Sequence, residues 1–349
     1  MDLVTQALAG AALAQAAARR PDVRLAAAVG AAAGLLPDAD VLLGSADDPL
    51  RQLELHRHFT HALAFAPVGA LAVAALAWPF ARGRARFASL YGFALLGIST
   101  AGVLDALTSF GTSLLLPFSD VRVAWSLLAV VDPAFSLPLA AGVALAVGAR
   151  SAGPARAGLA LALAYVGLAL AQHERAERAA VELARSRGHA PVRIEVKPTM
   201  GNVVLWRSVY LADGRIHADA VRAGMGGTRV YPGESAPRVP GGVPEAAPDT
   251  VLGRDVARFA RVADGWLVRH PDRPDVVGDA RYAMLPTSIR PLWGVVVDPA
   301  RADAHAAFVT LRSLDGPTRR AFTTMLLGRD PADPAPTGTA PAPPRSTPP

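Results

Sequence analysis

The sequence predicts an α-helical multi-pass membrane domain followed by a smaller β-rich extramembrane domain of the α+β class. Hydrophobic residues make up 52% of the 349 residues but only 6% are aromatic, so the apolar content is mostly Ala, Leu and Val. Charge-free apolar windows fill the front half of the chain, whereas the back half carries most of the charge. This asymmetry is typical of membrane helices that precede a polar domain.

The apolar windows lie at 3–18, 25–37, 62–81, 87–104, 106–119, 133–149 and 157–172. A membrane-spanning helix needs about 20 consecutive apolar residues. We predict full spans at 62–81, 87–104, 133–149 and 157–172. The windows 3–18 and 25–37 are short and rich in Ala and Gly, which predicts half-length or tilted helices packed closely against their neighbours.

Arginines cluster in three short connections: Arg19, Arg20 and Arg24, then Arg82, Arg84 and Arg86, then Arg150 and Arg156. If the helices alternate in direction, all three clusters fall on one side of the membrane, and the positive-inside rule makes that side cytoplasmic. We therefore predict a multi-pass protein of the cell inner membrane. Its other ionisable residues gather near the outer face, and its C-terminal domain is extracytoplasmic.

We predict four segments: a multi-pass membrane domain at 1–172, a helical connector at 173–189, a β-rich domain at 190–329 and a disordered Pro-rich tail at 330–349. Strand patterns lie at 192–196, 203–211, 265–268, 281–285 and 292–297. A helical pattern covers 251–262, and the Pro and Gly content of 230–248 indicates a long loop.

Composition excludes several kinds of site and partner. The chain has no cysteine, which excludes disulfides, thiolate zinc sites and cysteine nucleophiles. The net charge of +6 comes almost entirely from arginine, and no basic stripe with interleaved aromatic residues is present. We therefore expect no nucleic-acid partner.

Two carboxylates, Asp38 and Asp40, end an apolar run directly after Pro37. Ionised side chains near hydrocarbon are costly, and they persist where they pair, bind a cation or line a wet cavity. Pro37 predicts a helix break, and the alternate spacing can present both carboxylates to one cation. A simple Pro-Asp turn at the membrane surface is an equally open interpretation.

Three histidines, His56, His58 and His61, lie just before the span that starts at residue 62. Neutral imidazole is a common ligand for zinc and similar metals. If Thr60 caps the helix, His61 enters its first turn. The alternative is an interfacial cluster that titrates and binds nothing, but the carboxylates needed to complete a metal site are predicted at the same depth.

Asp105 interrupts an otherwise apolar stretch. A carboxylate there can be a metal ligand or a general base for a metal-activated water. It can also serve structure alone, by bonding to Thr108 or to exposed backbone amides. Asp132 and Pro133 are typical of a helix start, with Asp132 as the N-cap and Pro133 at the first helical position.

These motifs together resemble the YdjM-like inner-membrane proteins. The resemblance rests on residues 1–7, 36–40, 56–61, 104–112, 117–120 and 131–133, and it continues more loosely through 202–207 and 278–282. That family is described as membrane-bound metal-dependent hydrolases, with a LexA-binding association attached to its name. The resemblance implies a metal and catalytic set of Asp38, Asp40, His56, His61 and Asp105. Many relatives carry His where this chain has Gln6 and Ala101.

The leading functional hypothesis is a membrane-bound hydrolase that uses a divalent metal ion, zinc or manganese. A metal-activated water would attack an ester or phosphoester, and membrane lipids or a small lipid-like molecule would be the partners and substrate. Asp38, Asp40, His56 and His61 would hold the metal, with Asp105 as a further ligand. Asp105 and Asp40 are the catalytic candidates.

Two other functions remain open from the sequence. A non-catalytic membrane protein would bind a partner, a lipid or an envelope polymer through its extramembrane domain. A proton-coupled transporter would place its ionisable residues near the bilayer midplane, whereas the predicted topology places them at one edge.

Overall fold

The computed structural model describes residues 1–45, 47–241 and 243–330. The described chain consists of a helical N-terminal region followed by a C-terminal region of two antiparallel sheets. This architecture confirms the predicted fold class. The predicted disordered tail lies, from residue 331 onward, outside the described residues.

The helical region contains α1 (Leu3–Ala17), α2 (Val23–Leu35), α3 (Pro49–Leu55), α4 (Ala66–Ala81), α5 (Phe87–Ala106), α6 (Pro133–Ala149) and α7 (Gly153–Ser186). The side chain of Asp2 caps α1 by accepting hydrogen bonds from the backbone amides of Val4 and Thr5. Asp132 caps α6 in the same way, and Pro133 takes the first helical position, as the sequence predicts.

Among the described residues, four helical segments are long and apolar enough to cross a membrane: Arg20–Leu43, Leu63–Ala81, Phe87–Ala106 and Gly153–Ser186. Two predictions about spans were wrong. The window 25–37 forms α2, which is short at 13 residues as predicted, but 3₁₀ turns on both sides extend the helical segment to 24 residues, so it was wrongly left out of the full-length spans. The window 133–149 does not reach full length, because α6 ends after 17 residues at Arg150, which adopts the left-handed conformation.

The arginine clusters and Asp105 lie at opposite ends of the helical region. Arg24 Nε lies 3.2 Å from the carbonyl oxygen of Val147, and Arg156 Nε lies 2.9 Å from that of Ala16. These contacts bring the first and third arginine clusters together at the start of α2 and α7. Asp105, by contrast, lies in the last turn of α5, at the other end.

The helices α1, α2 and α5 touch backbone to backbone through glycine. A Cβ atom on Gly30 would lie 2.4 Å from the carbonyl oxygen of Gly10 and 2.6 Å from the Cβ atom of Ala14. A Cβ atom on Gly97 would likewise lie 2.4 Å from the carbonyl oxygen of Gly30. Small residues allow this close approach of membrane helices, which hold together by packing because lipid tails provide no hydrophobic driving force.

Replacing Gly30 with alanine should therefore destabilise the helical region, by about 1–2 kcal/mol, because two backbones must move apart. The control is Gly148→Ala in α6, where a Cβ atom would meet nothing within 4 Å. The free energy of unfolding in detergent measures both effects. Equal stability of the two variants would contradict the packing of α1, α2 and α5.

The first sheet of the C-terminal region has β1 (Arg193–Pro198), β2 (Leu205–Ala212), β3 (Arg215–Gly224) and β4 (Gly227–Tyr231) in sequential order, and β5 (Ser235–Pro237) also pairs with β3. The second sheet contains β6 (Leu267–His270), β7 (Arg273–Asp279), β8 (Trp293–Val296) and β9 (Phe308–Thr310). Two helices accompany them: α8 (Val251–Val262) and α9 (Gly316–Leu326).

The predicted helix over 251–262 is confirmed as α8, but two other predictions in this region were wrong. Residues 281–285 form turns, and the strand is the preceding β7. That strand was missed because only its second half is apolar and buried, at Val276 and Val277. The predicted loop over 230–248 contains the end of β4 and all of β5, which were missed because these pieces of strand are only two and three residues long and lie among Pro and Gly residues.

The C-terminal region packs directly on the helical region at two places. The second half of α7 covers the first sheet, where Ala176 and Ala180 share a core with Trp206 and Val221. Leu50 of α3 is fully buried in a separate core that α8 and the second sheet provide. The segment that leads to His56 is therefore held by the C-terminal region.

The first sheet contains a buried lysine, Lys197 of β1. Lys197 Nζ lies 3.1 Å from Glu195 Oε2 and 4.6 Å from the centre of the Tyr282 ring. Burial lowers the pKa of Lys197 to about 8, although the Glu195 carboxylate opposes this shift. The unfolded chain keeps the ordinary pKa of 10.5, so it binds more protons than the folded chain between pH 8 and pH 10.5.

The free energy of unfolding should therefore rise with pH through this window, by about 1 kcal/mol per pH unit. Chemical denaturation of the detergent-solubilised chain at a series of pH values measures the slope. The slope should flatten in Lys197→Met, which removes the titrating amine. An identical slope in the variant would show that another group causes the pH dependence.

Candidate metal site at the end of the membrane helices

Three short segments meet at the end of the membrane helices. The first is the 3₁₀ segment Leu36–Leu43, which follows the predicted helix break at Pro37 and carries Asp38 and Asp40. The second is the 3₁₀ turn Phe59–His61, and the third is the last turn of α5 with Asp105. The predicted capping of a helix by Thr60 was wrong, because α4 begins only at Ala66.

Asp38, His61 and Asp105 come together as a trio at this meeting point. His61 Nε2 lies 3.0 Å from Asp105 Oδ2 and 3.6 Å from Asp38 Oδ1. The side chains of His61 and Asp105 are fully buried, and that of Asp38 is 11% exposed. Residues separated by up to 67 positions in the chain therefore share one small polar space inside an apolar region.

One buried atom of the trio, Asp38 Oδ2, is without a hydrogen-bond partner among the described residues. His61 Nε2 and Asp105 Oδ2 form an ion pair at 3.0 Å, and Arg57 Nε lies 3.4 Å from the same Oδ2. Buried polar atoms are normally hydrogen-bonded, so the Asp38 atom needs an explanation. Two ligand atoms about 2.1 Å from a tetrahedral zinc ion lie about 3.4 Å from each other. The separations of His61 Nε2 from the Asp105 and Asp38 carboxylates, 3.0 and 3.6 Å, are close to that value, but the trio is not among the described sets of three ligand atoms that lie within 4.8 Å of one another.

Asp40 faces the outer side of His61 and connects it to His56. Its Oδ2 lies 3.6 Å from His61 Nδ1 and accepts a hydrogen bond of 2.8 Å from the backbone amide of Arg57. Its Oδ1 lies 2.9 Å from Nδ1 of His56, which is about one third exposed. A carboxylate on the far nitrogen of a ligating histidine orients the ring. The direct partner of His61 Nδ1 is Thr60 Oγ1 at 3.1 Å, and this hydroxyl donates to Asp40 Oδ2 at 3.3 Å. Asp40 and His56 thus lie beside the trio, and Asp40 supports the ring through Thr60.

Asp105 is also contacted from α1. Gln6 Nε2 lies 3.2 Å from Asp105 Oδ1 and 3.5 Å from the carbonyl oxygen of Ala101, and the amino group of Met1 contacts the same Oδ1. The two positions at which the resembling proteins carry histidine, Gln6 and Ala101, therefore lie next to Asp105. Only Oδ2 of this carboxylate faces the trio.

The charges around the trio favour a cation. The three carboxylates of Asp38, Asp40 and Asp105 outnumber the two cations on Asp105, which are the amino group of Met1 and the guanidinium of Arg57, whose Nε lies 3.4 Å from Asp105 Oδ2. Burial lowers the pKa of His61, but the Asp105 and Asp38 carboxylates outweigh burial and raise the pKa above its ordinary value. A site that draws a proton onto a buried histidine also attracts a metal cation.

A second set of ligand-type side chains lies between α3 and α8. Ligand atoms of Asp48, Asp255 and His305 lie within 4.8 Å of one another. The guanidinium of Arg258 already occupies this position, since its Nη1 donates to Asp48 Oδ1 at 3.0 Å and to Asp255 Oδ1 at 2.9 Å. Arg258 also contacts Glu54 at 2.6 Å. This set is an ionic contact between the two regions of the chain, and we assign no metal to it.

Several residues that shape the site were not predicted from the sequence. Arg57 lies between the predicted histidines, and Arg122 lies in the loop after α5. Gly102 lies in α5 and packs against the backbone of His61, so a Cβ atom on Gly102 would lie 2.1 Å from the His61 carbonyl oxygen. Arg57 was detectable as one more charge at the membrane edge, but the other two had no signal in their local sequence.

A family model described as YdjM inner membrane protein matches residues 1–176. This chain belongs to that family. The YdjM match covers every residue of the trio together with Asp40 and His56, whereas both sheets lie beyond it. Membership and the four candidate spans identify the chain as an inner membrane protein. No curated protein and no solved structure matches the chain.

Proposed function

We propose that this YdjM family member is a membrane-bound, metal-dependent hydrolase of an ester or phosphoester. The observation that carries the proposal is the burial of His61 Nε2 between the Asp105 and Asp38 carboxylates, at 3.0 and 3.6 Å, in the trio. Desolvated carboxylates are costly unless they bind a cation, and the trio lies where apolar helices end. Its ligand types, carboxylate oxygen and imidazole nitrogen, suit zinc or manganese.

Each residue has a separate role in this proposal. Asp38, His61 and Asp105 hold the metal, which when bound polarises the scissile group and makes water a stronger nucleophile. Asp40 orients His61 and also fixes Nδ1 of His56 at 2.9 Å. This leaves Nε2 of His56 to exchange a proton with a reactant. The half-exposed His56 is therefore the general acid or base, and Asp40 supports it.

The proposed substrate side of the membrane follows from the arginine clusters at the opposite end of the helices. The positive-inside rule makes that end cytoplasmic, so the trio and the C-terminal region would lie outside the cytoplasm. Lipids or lipid-like molecules reach such a site at the level of their headgroups. A reporter fused after Gly188 should be active only when exported. Activity of a cytoplasm-only reporter there would overturn this orientation.

Turnover of a phosphate ester by the detergent-purified, metal-loaded chain tests the proposal. Asp38→Asn should reduce turnover by about 100-fold or more while the fold is retained, because it removes a charged ligand. The matched control is Asp22→Asn, at the other end of α2, which should leave turnover unchanged. Equal turnover by wild type and Asp38→Asn would contradict a hydrolytic role for the trio.

A further inference from the structure

Arg122, in the loop between α5 and α6, is a cation without an anionic partner. Its Nη2 donates a hydrogen bond of 2.9 Å to the backbone carbonyl of His56, and its guanidinium lies 4.5 Å from the centre of the Phe110 ring. Within the described part of the chain, no carboxylate oxygen lies within 4 Å of this guanidinium. Burial, together with the neighbouring charge of Arg57, lowers the pKa of Arg122 to about 10.

Arg57 reaches the same Phe110 ring from the side of the trio. Its guanidinium lies 5.6 Å from the ring centre, and its Nε has no hydrogen-bond partner among the described residues. The same Nε lies 3.4 Å from Asp105 Oδ2, so it faces the position that the trio would give to a metal. Two guanidinium groups thus lie around one aromatic ring, directly beside the trio.

Other arginines inside the chain have their donors engaged. Arg281 contacts Asp279 at 2.7 Å, and Arg258 contacts Asp48 at 2.8 Å. The buried Arg207 donates five hydrogen bonds to backbone carbonyls. Arg122, by contrast, makes a single hydrogen bond within the described residues, and its side chain is only half-buried. Its other N–H groups are therefore available to an anion from outside the chain.

We propose that Arg57 and Arg122 form a subsite for the phosphate group of the substrate, which makes the chain a phosphoesterase and excludes neutral esters. This inference rests on the proposed function, since the subsite adjoins the trio. Guanidinium groups bind phosphate oxygens in a planar, paired geometry that a single amine does not reproduce. The phosphate can belong to a lipid headgroup or to a soluble ester, because both present the same oxygens.

Binding of inorganic phosphate to the full-length, zinc-loaded chain, freed of excess zinc, tests the subsite by calorimetry. Arg122→Gln should weaken phosphate binding by about tenfold or more, while the affinity for zinc stays at the wild-type value. Arg122→Lys keeps the charge and should lose less affinity. The matched control is Arg156→Gln, since Arg156 also donates to a backbone carbonyl but lies at the other end of the helices.

The outcomes separate the subsite from the proposed function. If zinc binds but phosphate affinity is the same in wild type and Arg122→Gln, or absent from both, the subsite is overturned and the metal site stands. If zinc does not bind, the proposed function fails. In that case, the metal-free chain is titrated with inorganic phosphate. Binding that is lost in Arg122→Gln still supports the subsite, whereas absence of phosphate binding, or binding that Arg122→Gln does not change, overturns it.

A competition experiment distinguishes the two sources of phosphate. The chain is placed in nanodiscs of phosphatidylcholine with or without phosphatidic acid, and inorganic phosphate is titrated. Weaker apparent phosphate binding in the presence of phosphatidic acid supports the subsite with a lipid headgroup as occupant. Equal binding in both nanodiscs supports the subsite with a soluble phosphate as occupant.

Discussion

Gly102→Ala should weaken metal binding by roughly 100-fold, while the control Gly92→Ala in the same helix leaves it unchanged. A Cβ atom on Gly102 would lie 2.1 Å from the carbonyl oxygen of His61 and 2.9 Å from Leu114 Cδ1. The backbone of His61 must then move away from α5, which carries Asp105. Because His61 Nε2 and Asp105 Oδ2 are only 3.0 Å apart, a shift of a few tenths of an ångström separates two ligands.

We expect the affinity for zinc to fall by roughly 100-fold in Gly102→Ala, the upper end of the losses that follow disturbance of ligand positioning. Competition with a chelator of known affinity measures it. A Cβ atom on Gly92, in the same helix, would meet nothing within 4 Å. That control should keep its affinity and gain stability, by about 1 kcal/mol, from the higher helix propensity of alanine. Equal zinc affinities of the two variants would contradict the position of His61.

Arg258→Met should separate α3 from α8 and lower the free energy of unfolding by about 2–3 kcal/mol, less than the loss of one partner from a fully buried network because Arg258, Asp48 and Glu54 are partly exposed. The substitution keeps much of the side-chain volume but leaves the carboxylates of Asp48, Glu54 and Asp255 without their common cation. Asp255 is almost fully buried, which prevents water from replacing the lost contact.

Arg261→Met is the matched control for Arg258→Met, because Arg261 lies in the same helix and is exposed. Chemical denaturation compares the two variants, and amide hydrogen exchange over 48–58 reports whether α3 has come loose. Since α3 leads directly to His56, this exchange should accelerate in Arg258→Met alone. Equal stability and equal exchange in the two variants would contradict the role of Arg258 in holding α3.

The candidate site could be predicted from the sequence because its charges interrupt apolar windows. Asp38, His61 and Asp105 each stand out against Ala and Leu, so composition alone indicates that they are unusual. Their grouping depends on how three helices cross, which small residues such as Gly30 decide through contacts distant in sequence. The division of roles between Asp38, in the trio, and Asp40, beside it, depends on 3₁₀ geometry that residue spacing does not specify.

The same limits explain the errors in the fold. The helical segment around α2 was predicted too short because the 3₁₀ turns at its ends contain charged and proline residues that ended the apolar window. In the C-terminal region, strands with one polar face and short length, such as β5, carry little periodicity. The ionic contact through Arg258 joins residues more than 200 positions apart, and no local pattern indicates such a pair.

The metal content of the detergent-purified chain tests the central claim most directly. Elemental analysis should find about one zinc or manganese ion per chain in the wild type and none in His61→Ala. His305→Ala, which alters the Asp48, Asp255 and His305 set, should keep the metal. Two results would contradict the assignment of the site to Asp38, His61 and Asp105. The first is a wild type that holds no metal after reconstitution with either ion. The second is a metal that stays in His61→Ala and is lost from His305→Ala.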